Sequence, residues 1–391
     1  MDNIFDYLQW RGDLDFQSDN FNEVDNLILS VLSYLEFEGL VPGEIDGEKT
    51  PLSKVATHFK KHKFKSPAFY ENPFFNHIPE LLQKASETKR FHDIQLSGYV
   101  NQIDYDKSNQ FSAVVFSIDS LHHFIAFRGT DDTLAGWKED FQMSFMEEVH
   151  SQKQAVAYVD NIVTKLQGKF YLGGHSKGGN LAVYGATQAD EKIRNRIACV
   201  FNNDGPGFQA NVIQSQGYQS MLSRIYTFIP KSSIVGMLME HGEDYKVVGS
   251  SGLAIMQHNA MNWSISGPSF VYENKLTKNS LNFDKTLRSW LNQLSIEQRT
   301  DFVDALFEIF QATGAKTLSQ LSREKLNTVE IMIKTFKNMD PAVQGLLKAT
   351  IEAFFIESQK VLRESIGQNI NSLFSRNKFI PRRKPNLKIK K

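Results

Sequence analysis

Apolar residues recur at helical spacing in the first part of the chain and give way to strand-like runs near residue 95. Asn22 to Glu36 places Val24, Leu27, Ile28, Val31, Leu32 and Leu35 on one helical face. Ile4–Trp10, Val55–His62 and Ile78–Ser86 are shorter helical segments. Gly, Pro and charge make 39–51 a loop, and three prolines keep any helix within 67–79 short. Gln95–Ile103, Phe111–Ile118 and Leu121–Phe127 then read as strands, with a turn at Asp119-Ser120. Gly129–Trp137 reads as a loop. Ser151–Leu166 is an amphipathic helix carrying Ala155, Val159, Ile162 and Val163. Lys169–Leu172 is a short buried strand, and Gly178–Ala189 a helix. Ile197–Asn202, Arg224–Ile229 and Tyr245–Val248 are further strands.

Strands alternating with helices predict an α/β fold with a mostly parallel sheet covered on both faces. From about Asn282 the pattern is helical throughout. One helix starts at Ser295, one is capped by Ser322 and reaches Met339, and a long one opens at Asp340-Pro341. The face of the last is Val343, Leu346, Leu347, Ile351, Phe354, Ser358, Val361 and Leu362. The expected organisation is a mainly helical segment 1–94 packing on the core, an α/β core 95–275 with a lid-like insertion 133–150, a helical region 282–375, and a tail 376–391.

Composition changes this picture in two places. The 391 residues hold 44 basic and 44 acidic side chains, which argues against a globally basic nucleic-acid binder. Yet eight of the basic residues lie between Arg376 and Lys391 with no acid among them, so the preceding chain is net −8. Such a tail suits an anionic membrane surface. Cys199 is the single cysteine, which fits a reducing compartment. The first residues have no basic region or long apolar run, so no secretory signal is expected, and a cytoplasmic location is.

The candidate chemistry lies in Gly173-Gly174-His175-Ser176-Lys177-Gly178-Gly179-Asn180, which contains Gly-x-Ser-x-Gly. An apolar strand precedes the motif and a helix-forming run follows it. That setting predicts a sharp turn that lifts the Ser176 hydroxyl above the sheet. The Lys177 N–H would then face an oxyanion. A second donor should come from an earlier strand end, and Phe127-Arg128-Gly129-Thr130 fits.

Phe-Arg-Gly-Thr followed by Gly-His-Ser-x-Gly-Gly resembles the class 3, fungal-type lipases. That resemblance implies an α/β-hydrolase fold, an oxyanion donor at Thr130 and a lid near Trp137. A closer resemblance is to the bacterial Mbeg-like α/β-hydrolase family of unknown function. It rests on Asn3–Leu8, Thr130–Thr133, Trp137–Phe141, Gly174–Asn180, Asn203–Phe208 and Gln257–Asn259, and spans roughly residues 1–272.

A serine nucleophile needs a base and an acid to orient it, in the chain order nucleophile, acid, histidine. Only His241 and His258 follow Ser176. His258 is preferred, because it follows the last core strand, where the Mbeg-like pattern also places its histidine. Class 3 lipases place an aspartate after the strand that ends here at Ile229, but Pro230–Ile234 has no carboxylate. Asp204 is the substitute, with the absence of any acid as the alternative. Lys177 stands where lipases carry an apolar residue. A salt bridge to Glu139, Asp140 or Asp131 is favoured over contact with an anionic head group. The acidic pairs 131–132, 139–140 and 147–148 match no metal-site spacing, and no cofactor is expected.

The function expected is a serine ester hydrolase for a small-molecule or lipid ester. Ser176, His258 and Asp204 do the chemistry, Thr130 and Lys177 hold the oxyanion, and Trp137, Phe141 and Phe145 shield the acyl group. The alternative is a non-catalytic interaction or membrane-surface protein on a hydrolase scaffold.

Overall fold

A computed structural model describes residues 2–62, 72, 74–252, 254–317, 320–321, 325–356 and 359. Pro67, Pro73, Ser322, Ser358, Val361, Leu362 and the tail 376–391 lie outside these.

Among the described residues, four helices open the chain: α1 (Ile4–Arg11), α2 (Glu23–Leu32), α3 (Leu52–Lys61) and α4 (Ile78–Ser86). Asn3 and Asn22 start the first two through capping boxes closed by Asp6 and Asp25. A nine-stranded sheet follows the order β1 (Thr50–Pro51), β2 (Gln95–Asp104), β3 (Asn109–Ser117), β4 (His122–Phe127), β5 (Lys169–His175), β6 (Ile197–Asn203), β7 (Ile225–Pro230), β8 (Tyr245–Val248), β11 (Tyr272–Glu273). Strands β4 to β8 are parallel; β1, β2, β3 and β11 join antiparallel. The short pair β9 (Ile265–Ser266) and β10 (Ser269–Phe270) stands apart. The architecture is an α/β-hydrolase fold.

Period-two alternation sorts the strand side chains between the two faces. In β4, Phe124 and Ala126 join a cluster with Leu27, Leu32 and Leu82 of α2 and α4. Ile125 and Phe127 point the other way, onto Val159, Ile162 and Leu181 of α6 (His150–Lys165) and α7 (Lys177–Gln188). Helix α2 has almost no solvent face, since Val24 through Leu32 are all buried. A buried ion pair helps hold it: Arg90 donates to both Asp25 oxygens at 2.8 and 2.6 Å, and Tyr7 donates to Asp25 at 2.9 Å.

Two local expectations change. The segment read as a loop at 129–137 becomes helical from Leu134, as α5 (Leu134–Met143), because Thr133 caps it by accepting from the Gly136 N–H. Strand β5 runs three residues past Leu172, to His175. Gly173, Gly174 and His175 are poor strand formers, but flanking strands pair with them.

The C-terminal helices α8 (Lys278–Leu291), α9 (Ile296–Gln311) and α10 (Lys325–Asn338) form a third cluster, and residues 341–356 are helical as well. Trp290, Phe302, Val303, Phe307 and Leu347 pack there with Leu134 and Phe145 from the α5 region. Among the described residues no helix is long and apolar enough to cross a membrane, and no group of three or more His, Cys, Asp or Glu could hold a metal ion.

Candidate active site

Ser176 occupies the turn between β5 and α7 with φ 58° and ψ −134°, a region that non-glycine residues rarely adopt. The neighbours make that turn possible. A Cβ on Gly178 would lie 2.1 Å from the Phe127 carbonyl oxygen, so only glycine lets α7 pass this close to β4. The Ser176 N–H donates to the Asn203 carbonyl at 3.0 Å, which ties the turn to the end of β6.

Asp204 follows β6 with φ 56° and is fully buried. Asn202 shapes this bend by accepting from the Gly205 N–H at 2.8 Å. The Asp204 carboxylate accepts from His258 Nδ1 at 2.7 Å, from the Gly236 N–H at 3.1 Å and from the Ser233 hydroxyl. Ser233 belongs to the acid-free stretch after β7. That stretch supplies donors to a carboxylate from the preceding strand, in place of a carboxylate of its own. Burial pushes the Asp204 carboxyl above its ordinary range, and the bond from His258 is the largest opposing influence. With Nδ1 engaged by Asp204, Nε2 is the His258 ring nitrogen that this bond leaves to other contacts.

The loop carrying His258 is held by its neighbours. Trp263 Nε1 donates to the Gln257 carbonyl at 3.0 Å, and the Gln257 side chain accepts from the Ser232 N–H at 2.8 Å. His175 adds a restraint that sequence reasoning missed. Its Nε2 lies 2.7 Å from the His258 carbonyl oxygen and its Nδ1 lies 3.1 Å from the Tyr34 hydroxyl. A carbonyl can only accept, so Nε2 carries the proton and Nδ1 accepts from Tyr34. Burial, reinforced by His258, holds His175 well below the ordinary histidine range, so it is neutral. The two imidazoles lie with ring centroids 4.5 Å apart. Nothing in the local sequence signals these contacts, which join residues 141 and 83 positions apart.

His241 has other partners. It bonds the Gly236 carbonyl at 2.8 Å and lies 3.5 Å from Glu243.

Lys177 points into the protein, only 1% exposed. Its Nζ donates to Glu139 at 3.0 Å and to the Gln110 carbonyl at 3.0 Å. The favoured salt bridge is therefore formed, and the ammonium is turned away from an anionic head group. The Thr130 hydroxyl donates to Asp140 at 2.6 Å, so it is engaged within the protein. Burial pushes Asp140 up to about 6, against the pull of Lys177.

Ser176 and His258 line one cavity of about 450 Å³, together with Thr130, Trp137, Asp140, Phe141, His175 and Lys177. Trp137 and Phe141 are about two-fifths exposed, at 39% each. Phe145 is not part of this wall; it is 5% exposed and packs in the C-terminal cluster. The segment expected to form a lid at 133–150 contains α5, which packs against α9. Much of the remaining wall comes from α8, through Phe283, Asp284, Leu287, Arg288, Trp290 and Leu291. No motif marked that helix.

An α/β-hydrolase sheet bearing a serine at a strained strand-to-helix turn, with a His258–Asp204 pair whose aspartate is buried beside the same cavity, defines the class. Within it, the chain belongs to the Mbeg1-like family, whose model matches residues 85–308. Five solved chains show structural similarity. One is the crystal structure of M37 lipase, with a TM-score of 0.33 and 15% identity, covering 55% of this chain and 69% of that one. A search of curated proteins returned no match.

Proposed function

We propose that this protein is a serine ester hydrolase. The observation that carries the reading is the bond between His258 Nδ1 and the buried Asp204 carboxylate, beside a cavity that both His258 and the strained Ser176 line. Asp204 fixes the His258 tautomer and favours the imidazolium that forms when Nε2 takes the Ser176 proton. The Ser176 oxygen then attacks the acyl carbon. The resulting oxyanion is held by the main-chain N–H groups of Lys177, at the first turn of α7, and of Thr130, whose hydroxyl is engaged with Asp140. His258 returns the proton to the leaving alcohol, and water repeats the cycle on the acyl-enzyme. The largely apolar wall, with Trp137, Phe141, Phe283 and Leu287, suits the acyl chain of a lipid-like ester.

The test is labelling with a fluorophosphonate probe. Wild-type protein should label, and Ser176→Ala and His258→Ala should not. A folded wild type that stays unlabelled with and without detergent would sink the mechanism.

A further inference from the structure

Helix α2 carries a polar stripe through an apolar interior. Asn26, Ser30 and Tyr34 recur every four residues, so they share one face of the helix and of the turn that ends it. Asn26 and Ser30 are fully buried, and Tyr34 is 6% exposed. Apolar side chains here would pack as Leu27, Ile28 and Leu32 do, with no buried polar atom to satisfy. The stripe is satisfied instead by the ends of the two strands that lead into Ser176 and Asp204.

One end of the stripe reaches the serine turn. Asn26 and Asn203 exchange amide hydrogen bonds, at 2.9 Å from Asn26 Nδ2 and 3.1 Å from Asn203 Nδ2. The Asn203 amide also donates to the Gly174 carbonyl at 3.0 Å and to Ser30 Oγ at 3.3 Å. Asn203 is the residue whose carbonyl accepts from the Ser176 N–H. The fit is close, since a Cβ on Gly173 would lie 2.5 Å from Asn26 Oδ1. The other end reaches the His258 loop. Burial pushes the Tyr34 hydroxyl well above its ordinary range, so it keeps its proton. It donates to His175 Nδ1, which leaves the Nε2 proton for the His258 carbonyl. The same hydroxyl lies against the loop after β4, where a Cβ on Gly129 would stand 2.0 Å from it.

We infer that α2 is a positioning element of the site, in which Asn26 and Tyr34 set the placement of Ser176 and His258 by holding Asn203 and His175. This rests on the hydrolase reading above and extends its machinery to a helix outside the sheet. The two handles sit on one helical rod with a fixed rise of about 1.5 Å per residue, so they hold the serine and the histidine to one frame. Removing the Tyr34 hydroxyl withdraws the donor that fixes His175 in its Nε2–H form. The Nδ1–H form would turn a lone pair on the His258 carbonyl and repel it.

The experiment follows inactivation of the full chain by a fluorophosphonate probe, with the maximal rate kinact separated from the binding constant KI. Tyr34→Phe keeps the ring and removes only the hydroxyl. It should lower kinact by roughly tenfold with KI unchanged. In a His175→Ala background the same change should add little, because the hydroxyl acts through His175. Asn26→Ala, which frees one edge of Asn203, should lower kinact as well; if it does not fold, Ser30→Ala reads the same contact. Leu27→Ala, an apolar change on the same helix, should lower Tm and leave kinact of the folded protein in place. Wild-type kinact in Tyr34→Phe or in the Asn203-contact variant would overturn the inference, as would an equal loss in Leu27→Ala or full additivity with His175→Ala. In each of those cases a labelled wild type keeps the hydrolase reading. A folded wild type that does not label removes that reading, and this inference with it.

Discussion

At the scale of single residues, the site depends on buried groups that hold one another. Asp204→Asn keeps the shape but lets the amide favour the wrong His258 tautomer, so kcat should fall by roughly 10³–10⁴-fold in steady-state assays with Ser176 labelling reduced. Lys177 and Glu139 are each 1% exposed, so Lys177→Ala strands a buried carboxylate. The expected loss is roughly 3–5 kcal/mol in urea unfolding, while Lys177→Met with Glu139→Leu should recover much of it. Glu243 has a pH consequence. Burial would raise its carboxyl, but His241, Thr227 and Tyr218 together bring it down to about 2. A carboxylate with a lowered folded-state pKa contributes stability that is present above its unfolded value, near 4.5, and lost as pH falls towards 2. Glu243→Gln should therefore flatten stability measured between pH 5 and 2. The nucleophile was legible at this scale because its motif is contiguous. His258 and Asp204 were legible through chain order, but whether the loop brings Asp204 to His258 was not, since that depends on how 205–257 folds back. Tyr34 and His175 were not legible, because their bond joins β5 to a residue 141 positions away.

At the scale of elements, α8 is what sequence reasoning left without a role. Its amphipathic pattern marks a helix but cannot say which surface receives it. In the structure Trp290 does two things. It lines the cavity, and it anchors α8 by donating to the Thr350 carbonyl at 2.9 Å with its ring against Phe302 and Phe354. Trp290→Ala should cost roughly 3–5 kcal/mol of local stability. Hydrogen exchange should quicken across 278–311, and long-chain esters should lose more kcat/KM than short ones. Equal loss across chain lengths would mean that α8 serves packing alone. The segment expected as a lid at 133–150 illustrates the same limit. Its apolar residues were visible, but Phe145 turns to the C-terminal cluster while Trp137 and Phe141 turn to the cavity.

At the scale of the whole molecule, the alternation of strands and helices conveyed the sheet, since period-two strands buried on both faces leave an apolar signature. The assembly of apolar clusters around it did not follow from pattern, because it depends on which helix meets which face. The charge split between an acidic body and the basic stretch 376–391 also belongs here. Binding to anionic vesicles at low salt is expected to require that stretch, and sedimentation with and without it checks this. Binding unchanged by the deletion would place the contact elsewhere.

The bond from His175 to the His258 carbonyl has a mechanical consequence. Ser176 and His175 are consecutive, so one strand end carries the proposed nucleophile and also grips the main chain of its proposed base. A shear or breathing motion of β5 would drag both partners together rather than apart. The separation between them is thus buffered against strain elsewhere in the molecule, as two jaws mounted on a common spindle keep their gap when the frame flexes.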